Sequence, residues 1–184
     1  MTANKVLMSS ARELLSDKWG LAILSFLVLT LLGSFSWPIG LVIGGSVQLG
    51  LSIFSLNIAR RKKVEFQQIF EGFNKFAEAL VAYLFSLLYI FLWSLLFIIP
   101  GIVAAISYSQ TFYVLADDKD IKGIDALKKS KKMMVGHKGK YFCLCLSFFG
   151  WFIVSVLTMG IGFLWLVPYM NVSFANFYDD IKKS

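Results

Sequence analysis

Ala79 to Ala116 reads ALVAYLFSLLYIFLWSLLFIIPGIVAAISYSQTFYVLA, 38 residues without a charge, interrupted once at Pro100-Gly101. A bilayer hydrocarbon core of ~30 Å takes about 20 helical residues to cross, so this stretch can cross twice but not three times. Pro and Gly sit badly inside a helix, and they predict a hairpin that turns at Pro100-Gly101. The same pattern recurs on both sides. Trp19 to Ala59 is 41 charge-free residues broken at Trp37-Pro38-Ile39-Gly40, and Tyr141 to Tyr178 is 38 broken at Gly160-Ile161-Gly162. The expected fold is an all-α integral membrane protein of six transmembrane helices, arranged as three hairpins.

Composition agrees: 58% of residues are hydrophobic and 16% charged, against roughly a quarter charged in soluble domains. Six spans use most of the 184 residues, which predicts a single membrane domain over 1–184. All 18 bases fall outside the three blocks. Lys5, Arg12 and Lys18 precede the first. Arg60, Arg61, Lys62, Lys63 and Lys75 follow it, eight lysines from Lys119 to Lys140 follow the second, and Lys182 and Lys183 close the chain. The positive-inside bias therefore places both termini and both long connections in the cytoplasm, for a multi-pass protein of the cell membrane. Lys5 to Lys18 is read as retained rather than as a signal peptide, because no small-residue cleavage site follows. The net charge of +7 lies beside spans rather than on a soluble module, so anionic lipid headgroups are expected as partners and nucleic acid is not.

The basic connections are also patterned. Phe66, Ile69, Phe70, Phe73 and Phe76 recur at helical spacing, with Gln67, Gln68, Glu71, Asn74 and Lys75 between them. This predicts a cytoplasmic amphipathic helix lying in the interface. Leu7, Ala11, Leu14 and Leu15 give a shorter version, and Ile121, Ile124, Leu127 and Met134 a weaker one that starts among Asp117, Asp118, Asp120 and Asp125. With Lys18, Lys75 and Lys138 in register, the chain reads as three units of helix plus hairpin, at 5–59, 64–116 and 121–178.

The second arm of each hairpin is the more polar. Gln48, Asn57, Gln110 and Asn171 are the candidate intramembrane polar site; interhelical hydrogen bonding is the other reading of the same residues. No charge falls within the spans, so a proton or ion relay has no sequence signature. Cys143 and Cys145, two apart on a predicted span, point to different faces and read as buried free thiols. His137, the single His, has no partner at metal-ligand spacing. Asp117-Asp118-Lys119-Asp120 fails as a calcium loop because Lys122 and Lys129 occupy ligand positions. No phosphate cradle or nucleophile motif is present, so no cofactor, metal or catalytic residue is expected, and no enzyme.

The run Phe91-Leu-Trp-Ser-Leu-Leu-Phe-Ile-Ile-Pro-Gly101 is followed by Ile106-Ser-Tyr-Ser, Leu115-Ala-Asp-Asp118 and Ala126-Leu-Lys-Lys-Ser-Lys-Lys-Met-Met-Val-Gly-His-Lys138. Then come Leu146-Ser-Phe-Phe-Gly-Trp151, Leu157-Thr-Met-Gly-Ile-Gly162, Pro168-Tyr169 and Phe177-Tyr178. Together these closely resemble the bacterial membrane proteins of domain-of-unknown-function family 975. The resemblance extends from Ala11-Arg-Glu-Leu-Leu and Trp19-Gly20 almost to the C-terminus. It implies a small multi-span protein of the bacterial cytoplasmic membrane, with no agreed activity and no catalytic residues to carry over.

The distinctive chemistry thus lies in lipid or at cytoplasmic headgroups. The expected function is a non-enzymatic membrane protein that binds a membrane partner or protects against a membrane-active peptide or toxin, as immunity and accessory proteins do. A small-molecule or lipid transporter and a lipid-organising protein are the alternatives. Candidate contacts for anionic lipid or a partner are Arg60, Arg61, Lys62, Lys63, Phe66, Phe70, Phe73, Lys128, Lys129, Lys131, Lys132, His137 and Lys138.

Overall fold

The computed structural model describes residues 2–33, 37–118 and 120–183, with the backbone alone at 29–33 and 37–39. Ten α-helices follow one another: α1 (Asn4–Leu15), α2 (Trp19–Gly33), α3 (Trp37–Ala59), α4 (Phe76–Leu96), α5 (Ile98–Tyr108), α6 (Thr111–Asp117), α7 (Gly123–Met133), α8 (Lys138–Ser147), α9 (Phe149–Leu157) and α10 (Phe163–Lys182). A 3-10 helix, Phe66–Lys75, precedes α4, and among the described residues there is no strand. Among the described residues four stretches are long and apolar enough to cross a bilayer: Gly40–Ala59, Phe66–Leu96, Ile98–Asp117 and Lys138–Leu157. They suggest a membrane protein. Where six spans are expected, α2 contributes a shorter apolar stretch, Trp19–Val28. Helix α10 falls outside the four, and carries Asn171, Asn176, Asp179, Asp180 and Lys182.

The core gathers around α3. Phe54, Ile58, Ile69, Met134, Leu144, Phe148 and Phe177 are almost fully buried in one cluster, and Leu49, Val114, Leu115 and Tyr178 in a second. Phe26 of α2 meets Phe54 edge-on at 6.1 Å, the preferred offset geometry for aromatic rings. Helices α4 and α8–α9 are peripheral: α4 buries only Ala79, Ala82 and Ser86, one small face, while α8 buries Leu144, α9 buries Ser155 and Phe148 is buried between them.

The Phe66 segment differs from expectation in helix type. A 3-10 helix has three residues per turn, so residues three apart eclipse one another. Ile69 and Gly72 stack on one edge and are buried, while Phe70 and Phe76 remain exposed. The buried edge lies on α3. Two glycines make this approach possible. A Cβ on Gly72 would lie 2.5 Å from the Gly50 nitrogen, closer than side chains tolerate. Helix α1 buries Leu7, Ala11 and Leu15 as its pattern predicts. In α7 the buried residues are Gly123, Ala126, Leu127 and Ser130, whereas Ile124 is exposed.

Turns fall near the breakers but not always on them. The chain turns at Phe97, extended at φ −162°, and Pro100 instead sits in the first turn of α5. There a missing N–H costs nothing, because first-turn N–H groups have no intrahelical acceptor. At the third breaker Met159 and Gly160 both take positive φ, 53° and 91°. The Thr158 hydroxyl oxygen accepts from Gly162 N at 3.0 Å, and the Met159, Gly160, Ile161 and Phe163 N–H groups donate to nearby carbonyls. The first breaker, Trp37-Pro38-Ile39-Gly40, forms the start of α3 instead of a turn, and residues 34–36 before it lie outside the described residues. The cysteines are a correction: both are free thiols, but Cys143 is exposed and Cys145 half-buried, because α8 offers the bundle only a narrow face.

Candidate functional site: a charged junction beneath the apolar arms

The first charged residues after the three charge-free blocks converge, with Arg60 between the other two. Arg60 follows α3, Asp117 closes α6 and Asp179 lies in the last turns of α10. The Arg60 guanidinium donates through Nη1 to Asp117 Oδ1 at 2.6 Å, and through Nε and Nη2 to Asp179 at 3.1 and 2.6 Å. The planar fork suits this two-sided grip. Tyr178 donates its hydroxyl to Asp117 Oδ2 at 3.0 Å, and Lys182 pairs with the same oxygen. Tyr113 stacks on Tyr178 with ring centroids 6.0 Å apart. The hydrogen bond to Asp179, opposed by burial and supported by Asp117, raises the Arg60 pKa above its already high ordinary value. The arrangement can clamp three helix ends together.

A second junction lies beside it. Asp180 accepts from Lys140 Nζ at 2.7 Å, and from the backbone N–H and hydroxyl of Thr2 at 3.1 and 2.7 Å. Burial pushes the Asp180 carboxyl up, but the Lys140 and Thr2 hydrogen bonds prevail and hold it below the ordinary carboxylate range. Consecutive acids on α10 thus hold the start of α1, the start of α8 and the ends of α3 and α6. Lys75 and Glu78, on facing turns around the start of α4, hold the next connection. Lys75 Nζ donates to the carbonyls of Leu115 and Asp118 at 3.2 and 2.8 Å, and Glu78 accepts from Gly123 N at the start of α7. A cation on a helix C-terminus and an anion on an N-terminus both complement the helix dipole.

The candidate polar site is dispersed. The Gln48 carbonyl accepts from Ser52 Oγ at 2.9 Å within α3. Asn57 Nδ2 donates to Gln68 Oε1 at 3.1 Å, tying α3 to the 3-10 helix. Gln110 is fully buried at the break between α5 and α6; its amide donates to Ser109 Oγ at 3.1 Å. Asn171 Nδ2 donates to Val167 O at 2.9 Å, and its own carbonyl accepts from Tyr113 at 3.1 Å. Among the described residues no hydrogen bond joins any two of these four.

The basic residues divide in the same way. Arg60 is consumed by the junction. Lys63 pairs with Glu65 at 2.8 Å, Lys128 with Asp125 at 3.3 Å and Lys129 with Asp118 at 3.1 Å. Arg61 lies 3.7 Å from Glu13 with both side chains about three-quarters exposed, and the Lys62 carbonyl accepts from Lys18 at 3.4 Å. Phe66 and Phe73 are half-buried and Phe70 exposed, the three rings packing in sequence. Lys131 and Lys138 line a small cleft of about 160 Å³ with Trp93 and Tyr108, Lys132 is exposed, and His137 is half-buried just before α8. Among the described residues no group of three His, Cys, Asp or Glu is arranged to hold a metal ion.

Residues 95–184 match the model of a protein family described as "Protein of unknown function (DUF975)". The match covers the C-terminal half of the chain, from the end of α4 onward, and it includes Asp117, Tyr178, Asp179 and Asp180. The N-terminal part of the sequence resemblance, from Ala11 to Trp93, lies outside it. Searches of curated proteins and of solved structures each found no match.

Proposed function

We propose that this is a non-enzymatic, multi-pass protein of the cell membrane, with three hairpins entering from a cytoplasmic base and apolar arms that engage a membrane-embedded partner. The partner is another membrane protein or a membrane-active peptide, and in the second case the protein acts protectively. The observation that carries the reading is the uncovered upper half of α4 and its turn. Every residue from Phe91 to Ile99 is exposed, with Leu95, Phe97, Ile98 and Ile99 above 70%. Exposed apolar surface on this scale marks lipid or a partner. Meanwhile Arg60, Asp117, Asp179, Lys140 and Asp180 are spent on one another at the base, which supports a fixed scaffold over a catalytic centre. The dispersal of Gln48, Gln110 and Asn171 gives the transporter reading no shared cavity to build on.

A photoreactive amino acid placed at Phe91 or at Phe152 tests this in living cells. A discrete protein or peptide adduct is expected at one of these arms and not at buried Phe54. Adducts to lipid alone at both arms refute the proposal.

A further inference from the structure

Beside α10 lies a cavity of about 350 Å³ that the junctions do not use. Its walls include Trp19 at the start of α2, Trp151 and Ser155 of α9, and Trp165 and Tyr169 of α10, with Arg12 of α1 among them. Trp151 and Trp165 are about half exposed, so the cavity opens sideways onto the apolar surface of the arms. Arg12 is held over the Tyr169 ring at 5.9 Å, a cation–π contact. Among the described residues no carboxylate lies within ion-pair distance of it, unlike Arg60, Lys63, Lys140 and Lys182. Gly162, at the far end, is seven residues from Tyr169, about 10 Å of helix rise. The groove therefore has one cationic end and an apolar, indole-lined length running away from it.

We propose that this groove binds one anionic phospholipid, its phosphate against Arg12 and an acyl chain along Trp151 and Trp165 toward the α9–α10 turn. The charge complementarity is local. Arg12 is a cation without an acid, at the mouth of an apolar slot, and the arginine fork is suited to phosphate oxygens. Indoles are at home where hydrocarbon meets headgroup. Zwitterionic lipid offers the same chain but cancels the phosphate charge with its own cation, so the site selects by net headgroup charge. The inference rests on the membrane reading of the chain but is independent of any protein or peptide partner at α4.

The test uses the full chain carrying Trp37→Phe and Trp93→Phe, so that the three groove tryptophans report, reconstituted into phosphatidylcholine vesicles. Brominated phosphatidylglycerol is expected to quench tryptophan emission about fivefold more effectively, mole for mole, than brominated phosphatidylcholine, the preference of about one basic contact. Arg12→Gln should remove the preference and Arg12→Lys keep most of it, while the paired change Lys5→Gln and Lys122→Gln, at two exposed bases outside the groove, should leave it intact. Equal quenching by the two lipids overturns the proposal. So does a preference that survives Arg12→Gln, or one that falls equally with the Lys5 and Lys122 changes, which would mark a diffuse attraction to basic surface. Inorganic phosphate alone should leave the emission unchanged; a change would assign the site to free phosphate instead. Because only lipid selectivity is read, failure here leaves the photocrosslinking result at Phe91 untouched, and the two ideas fail separately.

Discussion

Replacing Gly72 with Ala should be among the most damaging single-methyl additions the protein can suffer. The new Cβ would lie 2.5 Å from the Gly50 nitrogen and 3.1 Å from its Cα, and closer still to the Ser46 carbonyl oxygen, where ordinary contact begins at 3.4 Å. All three obstacles are backbone, so no rotamer change relieves them. The 3-10 helix and α3 must separate by about an ångström along their closest line, which loosens Ile69, fully buried on the same edge. Overpacking costs typically about 1–3 kcal/mol, and a purely backbone obstacle belongs at the upper end. For a chain of this size about 3 kcal/mol corresponds to a fall of roughly 6–12 °C in midpoint. Thermal unfolding of the purified protein in mild detergent, followed by circular dichroism, reads this directly. Gly139→Ala and Gly150→Ala are the controls, since a Cβ at either meets nothing within 4 Å. Both should leave the midpoint unchanged or raise it slightly. A Gly72→Ala protein that melts with these controls refutes the close crossing of α3 and the 3-10 helix.

Arg60→Met should leave Asp117 and Asp179 facing each other half-shielded and cost about 3 kcal/mol, at the low end for a broken buried pair because Arg60 is a quarter exposed; a midpoint unchanged by the substitution contradicts the clamp. Asp180 is held below the ordinary carboxylate range, so its contribution is fully present above about pH 4, where the unfolded carboxyl is also charged, and is lost as pH falls through the lower folded value. Acid titration of stability should therefore be flatter in Asp180→Asn than in the parent chain, and parallel curves would remove Asp180 from the account. Gly160→Ala should destabilise by about 1–2 kcal/mol although nothing crowds the site, because the backbone there is left-handed at φ 91°; equal midpoints by the same melting assay count against that turn.

The charge-free blocks made the apolar arms legible, because composition alone sets the solvent a long segment needs. Helix boundaries were less so. Pro100 marks a turn that occurs at Phe97, since proline is comfortable in a first helical turn and the chain bends just before it. Phe66 to Phe76 has apolar residues at both three- and four-residue spacing, and the α-helical reading follows the fours. The choice between helix types is made by Gly50 and Gly72, which bring two backbones together and which no periodicity count includes. The candidate site was missed in a more instructive way. Arg60, Asp117 and Asp179 are each the residue that ends a charge-free block, so the blocks themselves pointed at the junction. Positive-inside reasoning counts bases and treats acids as neutral background, so it assigns Arg60 to headgroups and gives Asp117 and Asp179 no part in the site. The second-arm amides stand out for the opposite reason: polar side chains in an apolar run look exceptional, yet Asn171 bonds back to its own helix and Gln110 donates to adjacent Ser109, with its buried Oε1 left without a partner.

Lys75 and Glu78 give the connection from α6 to α7 an unusual status. The last carbonyls of α6 and the first amide of α7 are both fastened to the start of α4, one by a cation and one by an anion. The intervening residues therefore contribute little to where the two helices sit. A chain opened there and rejoined through its termini, or expressed as two fragments divided after Asp118, should reassemble into the same bundle. The covalent link could be dispensed with, while the ionic one could not.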